Sequence, residues 1–545
     1  MANELTGAQI AALATAQAYP TDADAVAGVR WIQTHISHVF LTPARVYKLR
    51  KPVRLSFLDF STQAARNADC LREIALNRRL APDVYLGVAP VLGAAGGAQF
   101  GAVSDRLHAG REHAVVMRRL PDGGDALSLL ERGALGAAEI DAVAARIARF
   151  HAGHGLGRPA PFAAEKWRER VAAPMHANVL ALRDAASAGI LPVREVELLA
   201  PATERALAEH ADRLERRRRE GRVVDAHGDL HLQHIWFERA HKDSGDAAGP
   251  LVSIIDCIEF SDELRQIDAA SEVAFLAMDL RYRGAPALAE HFLRRYAALR
   301  DDFGLYGVVD LFGAYRAAVR AKVAALAAQD AAIEAMQRER ARASAERHLA
   351  LALELLRAPT PGPLVVVCGS VGTGKSSVAE RLAEACGGAV ISSDRTRKAL
   401  AGIAPESREG ASLASPLYSD AATQRVYAAL LERAAPVVAS GRVAVLDATF
   451  ARAEQRNLAR RFAASAGARA LLVEVQCAEE IARERVARRA ARGADPSDAG
   501  PELVGVSRAD FEPPEEWPSE DRAQIHTDHD WAESVFAVAR LLMKA

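Results

Sequence analysis

The sequence has few cysteines and no excess of charge of either sign. Five cysteines occur among 545 residues and none forms a C-x-x-C pair, which argues against a disulfide framework or a zinc site and favours a reducing cytoplasm. The formal net charge is −1, so there is no global electrostatic reason to expect a nucleic-acid or membrane partner. We interpret the arginine run Arg216–Arg219 as a solvated helix face.

Long apolar runs and internal repeats are also missing. No stretch of about 18 apolar residues occurs, and the N-terminus lacks the apolar core of a signal peptide. We therefore expect no membrane span. Half of the residues are hydrophobic, which is enough for substantial cores, and the length allows about three to four domains of roughly 150 residues.

The clearest motif is a glycine-rich loop between an apolar run and a helical stretch. It fits the P-loop pattern G-x-x-x-x-G-K-[ST] with Gly369, Ser370, Val371, Gly372, Thr373, Gly374, Lys375 and Ser376, and Ser377 follows in the helix. Glycines let backbone N–H groups point at a phosphate chain, and a helix start adds partial positive charge. We therefore predict an ATP site in which Lys375 reaches the β- and γ-phosphates and the Ser376 hydroxyl ligates Mg²⁺.

The region beyond residue 363 alternates strand and helix patterns. Four apolar runs are separated by helical stretches, at 364–368, 389–392, 443–447 and 469–475. This rhythm is typical of βαβ units and predicts a parallel sheet. The preceding segment, 358–363, is rich in proline, which ends helices and stiffens linkers. We predict a linker at 358–363 and a P-loop domain over 364–545.

The first two-thirds of the chain have strand patterns first and helical patterns later. Two strand-like runs flank a Thr42-Pro43 turn and predict a hairpin, at 34–41 and 44–49. The spacing then predicts a helix over 64–79 and further strands at 85–89 and 114–117. Later segments are mostly helical, at 125–220 and 264–357. This order predicts a small sheet lobe and a larger helical lobe.

One polar run fits the catalytic loop of a phosphoryl-transfer enzyme. Residues 225–235 match H-x-D-L-x-x-x-N through His227 and Asp229, with His234 in the place of asparagine. A downstream apolar strand ends in Asp256. Phosphoryl transfer needs one acid that accepts a hydroxyl proton and another that holds a metal ion. We assign Asp229 to the first role and Asp256 to the second.

Two residues earlier in the chain complete this pattern. Lys48 on a predicted strand and Glu73 on the next predicted helix stand in the expected order for the ion pair that positions the phosphates. The catalytic loop resembles that of the aminoglycoside and choline phosphotransferases, which have a protein-kinase-like fold. Three runs, at 46–53, 57–61 and 77–87, more closely resemble a bacterial family that joins such a domain to a P-loop kinase, often labelled AAA family ATPase.

The resemblance covers nearly the whole chain and implies a fold class. It implies an α+β protein-kinase-like two-lobed domain over 1–357, with a small lobe at about 30–120 and a helical lobe at about 121–357. An α/β P-loop NTPase domain with a parallel sheet follows. The family likeness also implies ATP between the two lobes, with adenine near Met117.

His234 departs from the family pattern. Mg²⁺ prefers oxygen ligands, so an imidazole nitrogen is a poor replacement for an asparagine oxygen. We expect His234 to hold a metal weakly or through water. No G-x-G-x-x-G loop precedes Lys48. A kinase-like fold with degraded chemistry, serving as a ligand-binding or regulatory module, is therefore an open alternative.

The C-terminal domain offers further candidate residues near the ends of its strands. Asp447 ends an apolar run in a Walker-B-like position and is a candidate Mg²⁺ ligand. Asp394 and Arg397 follow another strand, at the edge where α/β ligands bind. The region resembles polynucleotide-kinase-like, zeta-toxin-like and gluconate-kinase-like enzymes. This resemblance implies that Asp394 takes the acceptor proton and Arg397 contacts the substrate. A helix N-cap aspartate beside an exposed arginine is the alternative.

A basic helix over 483–492 runs into a Gly/Pro/Asp loop at 493–499, a pattern that resembles a small-kinase lid. Arg485 and Arg489 lie one turn apart on one face, so we predict that they close over ATP. A solvated basic face is the alternative for each arginine.

Together these features predict an ATP- and Mg²⁺-dependent phosphotransferase with two nucleotide sites and a small-molecule hydroxyl acceptor. Two alternatives are a P-loop NTPase regulated by a degraded kinase-like domain, and an NTPase switch that moves a partner. Sugars, nucleosides, nucleic-acid 5′ ends and amino sugars all stay open as acceptors of the second site. The sequence does not specify an oligomeric state.

Overall fold

A computed structural model of the chain describes residues 5–55, 58–94, 97–238, 250–403, 419–492 and 500–543. The predicted lid loop at 493–499 and Phe57 of the run at 57–61 lie outside these ranges. Among the described residues, no helix is both long enough and apolar enough to cross a membrane. All five cysteines are free thiols.

The strands are β1 Arg30–Gln33, β2 Ser37–Leu41, β3 Arg45–Arg50, β4 Arg54–Leu55, β5 Leu58–Asp59, β6 Tyr85–Ala94, β7 Gly97–Phe100, β8 His113–Arg118, β9 Val223–Asp225, β10 Ile235–Glu238, β11 Leu251–Ile254, β12 Gln266–Asp268, β13 Leu364–Cys368, β14 Ala389–Ser392, β15 Ala444–Asp447, β16 Ala470–Gln476 and β17 Arg522–His526.

The helices are α1 Gly7–Ala12, α2 Gln63–Asn77, α3 Ala126–Glu131, α4 Ala137–Gly153, α5 Ala164–Ser187, α6 Val193–Arg219, α7 Asp262–Arg265, α8 Ala269–Tyr282, α9 Pro286–Arg300, α10 Val309–Gln329, α11 Ala335–Leu355, α12 Lys375–Cys386, α13 Ser393–Leu400, α14 Asp420–Ala439, α15 Ala453–Ser465, α16 Glu479–Arg492, α17 Leu503–Ala509 and α18 Ala532–Met543.

The chain forms two compact units, and the boundaries between them do not coincide with the proline-rich segment 358–363. The first contains Met1–Pro161 and Gly221–Leu276, and the second contains Phe162–Glu220 and Ala277–Ala545. The helices of 162–220 and of 277–357 therefore belong to the same compact unit as the P-loop region. The domain limits 1–357 and 364–545 stay a prediction, with 358–363 as their linker.

An antiparallel sheet organises the first unit, in the order β1-β2-β3-β8-β6-β7. The predicted hairpin is present as the β2–β3 pair. Helix α2 begins after Thr62, whose hydroxyl accepts from the Ala65 N–H. The helical spacing places the buried residues Cys70, Glu73 and Ile74 on one face. Cys70 and Ile74 pack in a hydrophobic core with residues of β6 and β8.

A parallel sheet organises the C-terminal part of the second unit, in the order β14-β15-β13-β16-β17. The central strand β13 is buried along its whole length, as expected for a parallel strand covered on both faces. Two of its valines, Val365 and Val367, pack in one core with the helices α12 and α18. As predicted, the first part of the chain combines an antiparallel sheet with helices, and the C-terminal part is an α/β P-loop domain with a parallel sheet.

Some elements depart from the sequence predictions. Strands β1, β7 and β17 were not predicted. In β17 the alternation of buried and exposed residues is weak, and the strand lies at the edge of its sheet. The interpretation of Arg216–Arg219 as a solvated face is wrong for Arg217. That side chain is buried and pairs with Asp302 at 2.7 Å, because the last turn of α6 packs against the residues just before a short 3₁₀ helix, Phe303–Gly307.

Candidate functional sites

The P-loop residues form a tight turn between β13 and α12. Gly369, Gly372 and Gly374 have φ values of 141°, 84° and 87°, in the region that favours glycine. A Cβ on Gly369 would lie 2.4 Å from the Val475 carbonyl oxygen, and one on Gly372 would lie 2.7 Å from the Ala482 carbonyl oxygen. Only glycine fits this path, so the backbone requirement of a phosphate cradle is met.

Lys375 and Asp447 face each other beneath this cradle. The Lys375 Nζ donates to the Ser370 carbonyl at 2.8 Å. Burial lowers the pKa of Lys375, while the Asp447 and Asp394 charges raise it. Burial also raises the pKa of the Asp447 carboxyl to about 6, although Lys375 and a hydrogen bond from Ser376 oppose the shift. The Asp447 carboxylate and the Ser376 hydroxyl are in contact and both offer oxygen ligands, so they fit a Mg²⁺ ion.

Asp394 and Arg397 lie on α13, which directly follows β14. Asp394 is close enough to act electrostatically on both Lys375 and Asp447. Both Asp394 and Arg397 act on Tyr427 of α14. The Tyr427 hydroxyl accepts from the Phe450 N–H at 3.0 Å and lies 3.3 Å from the Thr449 hydroxyl. Tyr427 was missed in the sequence, because no motif marks a tyrosine in the middle of a helix.

The segment after Asp447 is held in an uncommon conformation. Phe450 is buried and has a φ of 44°, which is rare for a residue with a bulky side chain. The fully buried Arg456 donates to the Phe450 carbonyl at 2.9 Å and pairs with Glu516. The Gly369 N–H donates to the Thr449 carbonyl at 3.1 Å. These contacts tie the Walker-B segment to the P-loop.

Arg485 braces the P-loop through Thr527. Its guanidinium donates to the Thr527 hydroxyl at 2.8 Å and to the Thr527 carbonyl at 2.6 Å. The Thr527 hydroxyl in turn donates to the Thr373 carbonyl at 2.7 Å. Arg489, one turn further along α16, acts on Lys375 electrostatically. Contact of either arginine with ATP stays a prediction.

Replacing Thr527 with valine should loosen this brace. The substitution keeps the shape but leaves the Thr373 carbonyl and one Arg485 N–H without their present partner, which costs about 1–3 kcal/mol. We expect a lower melting temperature and weaker ATP binding at the P-loop, both measured by calorimetry. The exposed Thr15→Val is the control. Unchanged ATP affinity in Thr527→Val would contradict the bracing role.

Replacing Asp447 with asparagine should stabilise the metal-free protein at neutral pH. The folded carboxyl has a pKa of about 6 and the ordinary value is 3.8, so the folded state binds more protons between these values. Stability therefore falls as pH rises through that window, by on the order of 3 kcal/mol. In EDTA, we expect Asp447→Asn to melt above the parent at pH 7.5 and close to it at pH 4. A variant that melts lower at pH 7.5 would contradict the burial argument.

The first unit contains a second cluster of charged residues. The Lys48 Nζ lies 2.9 Å from the Glu73 carboxylate and 3.3 Å from that of Asp256. Lys48 is on β3 and Glu73 on α2, as predicted. The Lys48 charge lowers the pKa of Asp256 to about 2, so this acid is ionised at neutral pH. A carboxylate beside a lysine is suited to holding a metal and a phosphate together.

A buried arginine secures this ion pair. Arg50, two residues after Lys48, pairs with Asp69, Glu73 and Glu259, each at 2.6 Å. Sequence reasoning missed Arg50 and Glu259, which are 209 residues apart in the chain. The backbone at Asp256 has a φ of 64°, and its N–H donates to the Tyr85 hydroxyl at 3.1 Å. Such backbone conformations often occur at functional sites.

The predicted catalytic loop is organised by a buried acid. The Glu272 carboxylate of α8 accepts from the His227 and Gly228 N–H groups at 2.8 and 3.1 Å. His227 is fully buried and its Nε2 lies 2.8 Å from the Ile255 carbonyl, which supports a structural role. Burial opposes ionisation of Asp229, but a hydrogen bond from His231 and the histidine charges lower its pKa overall.

His234 lies between the two candidate acids. Its Nδ1 is 2.9 Å from the Asp229 carbonyl oxygen, and its Nε2 is 3.6 Å from the Asp256 carboxylate. The Asp256 carboxylate fits a divalent cation, and the His234 nitrogen adds a second donor. Met117 lies on β8, where its backbone is opposite Val46 of β3 and Tyr85 of β6. An adenine contact at Met117 stays a prediction.

The P-loop region matches a family model, and the chain as a whole has curated relatives. Residues 364–514 match AAA_33, described as an AAA domain. The uncharacterized protein Rv2004c of Mycobacterium tuberculosis (strain ATCC 25618 / H37Rv) is 33% identical over 502 residues, covering 91% of this chain and 93% of the relative. The uncharacterized protein Mb2027c of Mycobacterium bovis matches to the same extent.

Several solved kinases resemble parts of the chain. An ethanolamine kinase of Plasmodium vivax is 11% identical, and the match covers 58% of this chain and 81% of the kinase chain with a TM-score of 0.34. A gluconokinase of Sinorhizobium meliloti 1021 is 24% identical, with coverages of 34% and 94% and a TM-score of 0.25. The APS kinase CysC of Mycobacterium tuberculosis is 22% identical, with coverages of 34% and 99% and a TM-score of 0.27.

Proposed function

We propose that this chain, which belongs to the family of the mycobacterial protein Rv2004c, is an ATP-dependent phosphotransferase with two nucleotide sites. One site is the P-loop of the second unit and the other is the charged cluster of the first unit. Each transfers the γ-phosphate of ATP to a hydroxyl group of a small molecule.

The observation that carries this proposal is the convergence of Lys375, Asp394 and Asp447 beside the P-loop. A nucleotide switch needs a phosphate cradle and a metal-binding acid, but it does not need a second acid for an acceptor hydroxyl. Asp394 supplies that acid, and Arg397 offers a cation for the acceptor. This arrangement favours transfer to a substrate over hydrolysis alone.

Transfer at this site proceeds by displacement at the γ-phosphorus. The acceptor oxygen forms a bond to phosphorus while the bond to the bridging β-phosphate oxygen breaks, and ADP leaves with that electron pair. Asp394 takes the hydroxyl proton, and Lys375 stabilises charge on the transferred group. A Mg²⁺ ion held by Ser376 and Asp447 would neutralise phosphate charge when bound.

The first unit supports the same reaction class with different residues. Asp229 takes the acceptor proton, Asp256 holds a metal ion, and the Lys48–Glu73 pair positions the phosphates. The low pKa of Asp229 keeps its carboxylate ionised at neutral pH, so an oxygen is free to take the acceptor proton during transfer. The histidine in place of asparagine favours a second candidate, in which this unit only binds a ligand and regulates the P-loop site.

The test is phosphate transfer by the full-length protein from labelled ATP. The acceptor panel contains sugars, amino sugars, amino alcohols, nucleosides and a 5′-hydroxyl oligonucleotide. We expect a labelled small molecule whose formation needs a divalent metal ion. ATP hydrolysis without any labelled acceptor would favour the switch, and no turnover at all would contradict both readings.

A further inference from the structure

The His234 ring has a defined proton position. Its Nδ1 lies 2.9 Å from the Asp229 carbonyl oxygen, which can only accept a hydrogen bond, so Nδ1 carries the proton. In the neutral ring the lone pair is therefore on Nε2. The lone pair faces the Asp256 carboxylate, whose nearer oxygen, Oδ2, is 3.6 Å away.

This orientation is that of a histidine metal ligand. Histidines that bind metals usually donate the other ring N–H to a carbonyl or carboxylate, which fixes the tautomer. An imidazole nitrogen and a carboxylate oxygen, each about 2.1 Å from one ion, lie about 3.0–3.6 Å apart for bond angles of about 90–120°. The observed separation of 3.6 Å is within that range.

The same proton rules out a competing set of ligands that would use the Nδ1 atom of His234. Asp229, His231 and His234 have potential ligand atoms within 4.8 Å of one another. The Asp229 Oδ2 is 3.5 Å from both the His231 Nε2 and the His234 Nδ1. Because His234 Nδ1 holds a proton, it has no lone pair to offer a metal there. His231 instead donates to Asp229 and orients it.

We propose that His234 Nε2 and Asp256 Oδ2 form a divalent metal site that selects first-row transition ions, from Mn²⁺ to Zn²⁺, over Mg²⁺. An imidazole nitrogen suits Fe²⁺, Ni²⁺ and Zn²⁺ and binds Mn²⁺ at the weak end of this series, whereas Mg²⁺ binds oxygen ligands and gives up water reluctantly. The proposal rests on the proposed function, because nucleotide phosphates supply the remaining ligands. The N-terminal site is then specialised for a different metal from the P-loop site, rather than degraded.

The experiment measures metal binding without turnover. The full-length protein carries Lys375→Met, which removes the phosphate-binding lysine of the P-loop, and holds the non-hydrolysable nucleotide AMPPNP. Mn²⁺ is titrated by electron paramagnetic resonance and Mg²⁺ by competition. Nitrogen modulation of the Mn²⁺ spin echo reports an imidazole ligand directly. His234→Asn is compared with His231→Asn, and circular dichroism confirms that each variant is folded.

We expect nitrogen modulation in the parent and in His231→Asn, and its loss in His234→Asn. The preference for Mn²⁺ over Mg²⁺ should fall by about tenfold or more in His234→Asn, since asparagine restores an oxygen ligand. Loss of the signal in both variants, or in neither, would overturn the assignment of His234. If His234→Asn fails to fold, Asp256→Asn in its place should weaken Mn²⁺ binding with the ring still present. Nitrogen modulation here, together with no turnover by the unmodified protein in the labelled-ATP assay, would contradict the proposed function and leave the metal site standing.

Discussion

Replacing Lys375 with methionine should remove most of the activity of the P-loop site. The methionine retains the apolar stem of the side chain but removes the cation that faces Asp447 and Asp394. Removing one preorganised cation from a phosphoryl-transfer site lowers kcat by on the order of 10²- to 10³-fold. The measurement is the rate of labelled phosphate transfer at saturating ATP, together with the nucleotide-binding stoichiometry by calorimetry.

The matched control is Lys166→Met, on the exposed face of α5, where the lysine pairs with Glu169 at 2.8 Å. It should leave transfer within twofold of the parent, as expected for a surface ion pair. If Lys375→Met transfers phosphate at the parental rate to every acceptor, the lysine has no part in the reaction. The melting temperature of both variants distinguishes lost chemistry from lost folding.

Replacing Asp229 with asparagine should remove the activity of the first unit while nucleotide still binds. Asparagine keeps the shape and can still contact His231, but it cannot accept the acceptor proton. Loss of a positioned general base lowers the rate by about 10²- to 10⁴-fold. Transfer at the P-loop site should continue, so the Asp229→Asn and Lys375→Met variants should lose different products.

Asp256→Asn provides the contrast within the same site. It removes the acid beside Lys48 and should weaken nucleotide and metal binding together, so the binding stoichiometry falls by one nucleotide. The control is Asp105→Asn, at an exposed ion pair with Arg78. It makes the same substitution as Asp256→Asn, with the same loss of one charge, but away from the site. If Asp229→Asn leaves every ATP-dependent activity intact, the first unit is a ligand-binding module and not an enzyme.

The sequence alone was sufficient for features that depend on neighbouring residues. The P-loop was predictable because its glycines, lysine and serine lie within eight positions. Strands β13 to β16 were predictable because each is a short apolar run between helical stretches. Lys48, Glu73 and Asp256 were placed by their order along the chain, and the structure brings both acids within hydrogen-bonding distance of Lys48 Nζ.

Only the tertiary structure supplied the partners that come from distant parts of the chain. Arg50 meets Glu259 across 209 residues, Arg485 meets the P-loop through Thr527, and Glu272 holds the predicted catalytic loop. A single buried carboxylate or threonine has no periodicity, so no local pattern reveals it. The His234 proton was also decided by the fold, because it depends on which carbonyl lies beside Nδ1. The sequence determined which chemical groups are present, and long-range packing determined which of them meet, since a side chain's partner depends on the path of the whole backbone.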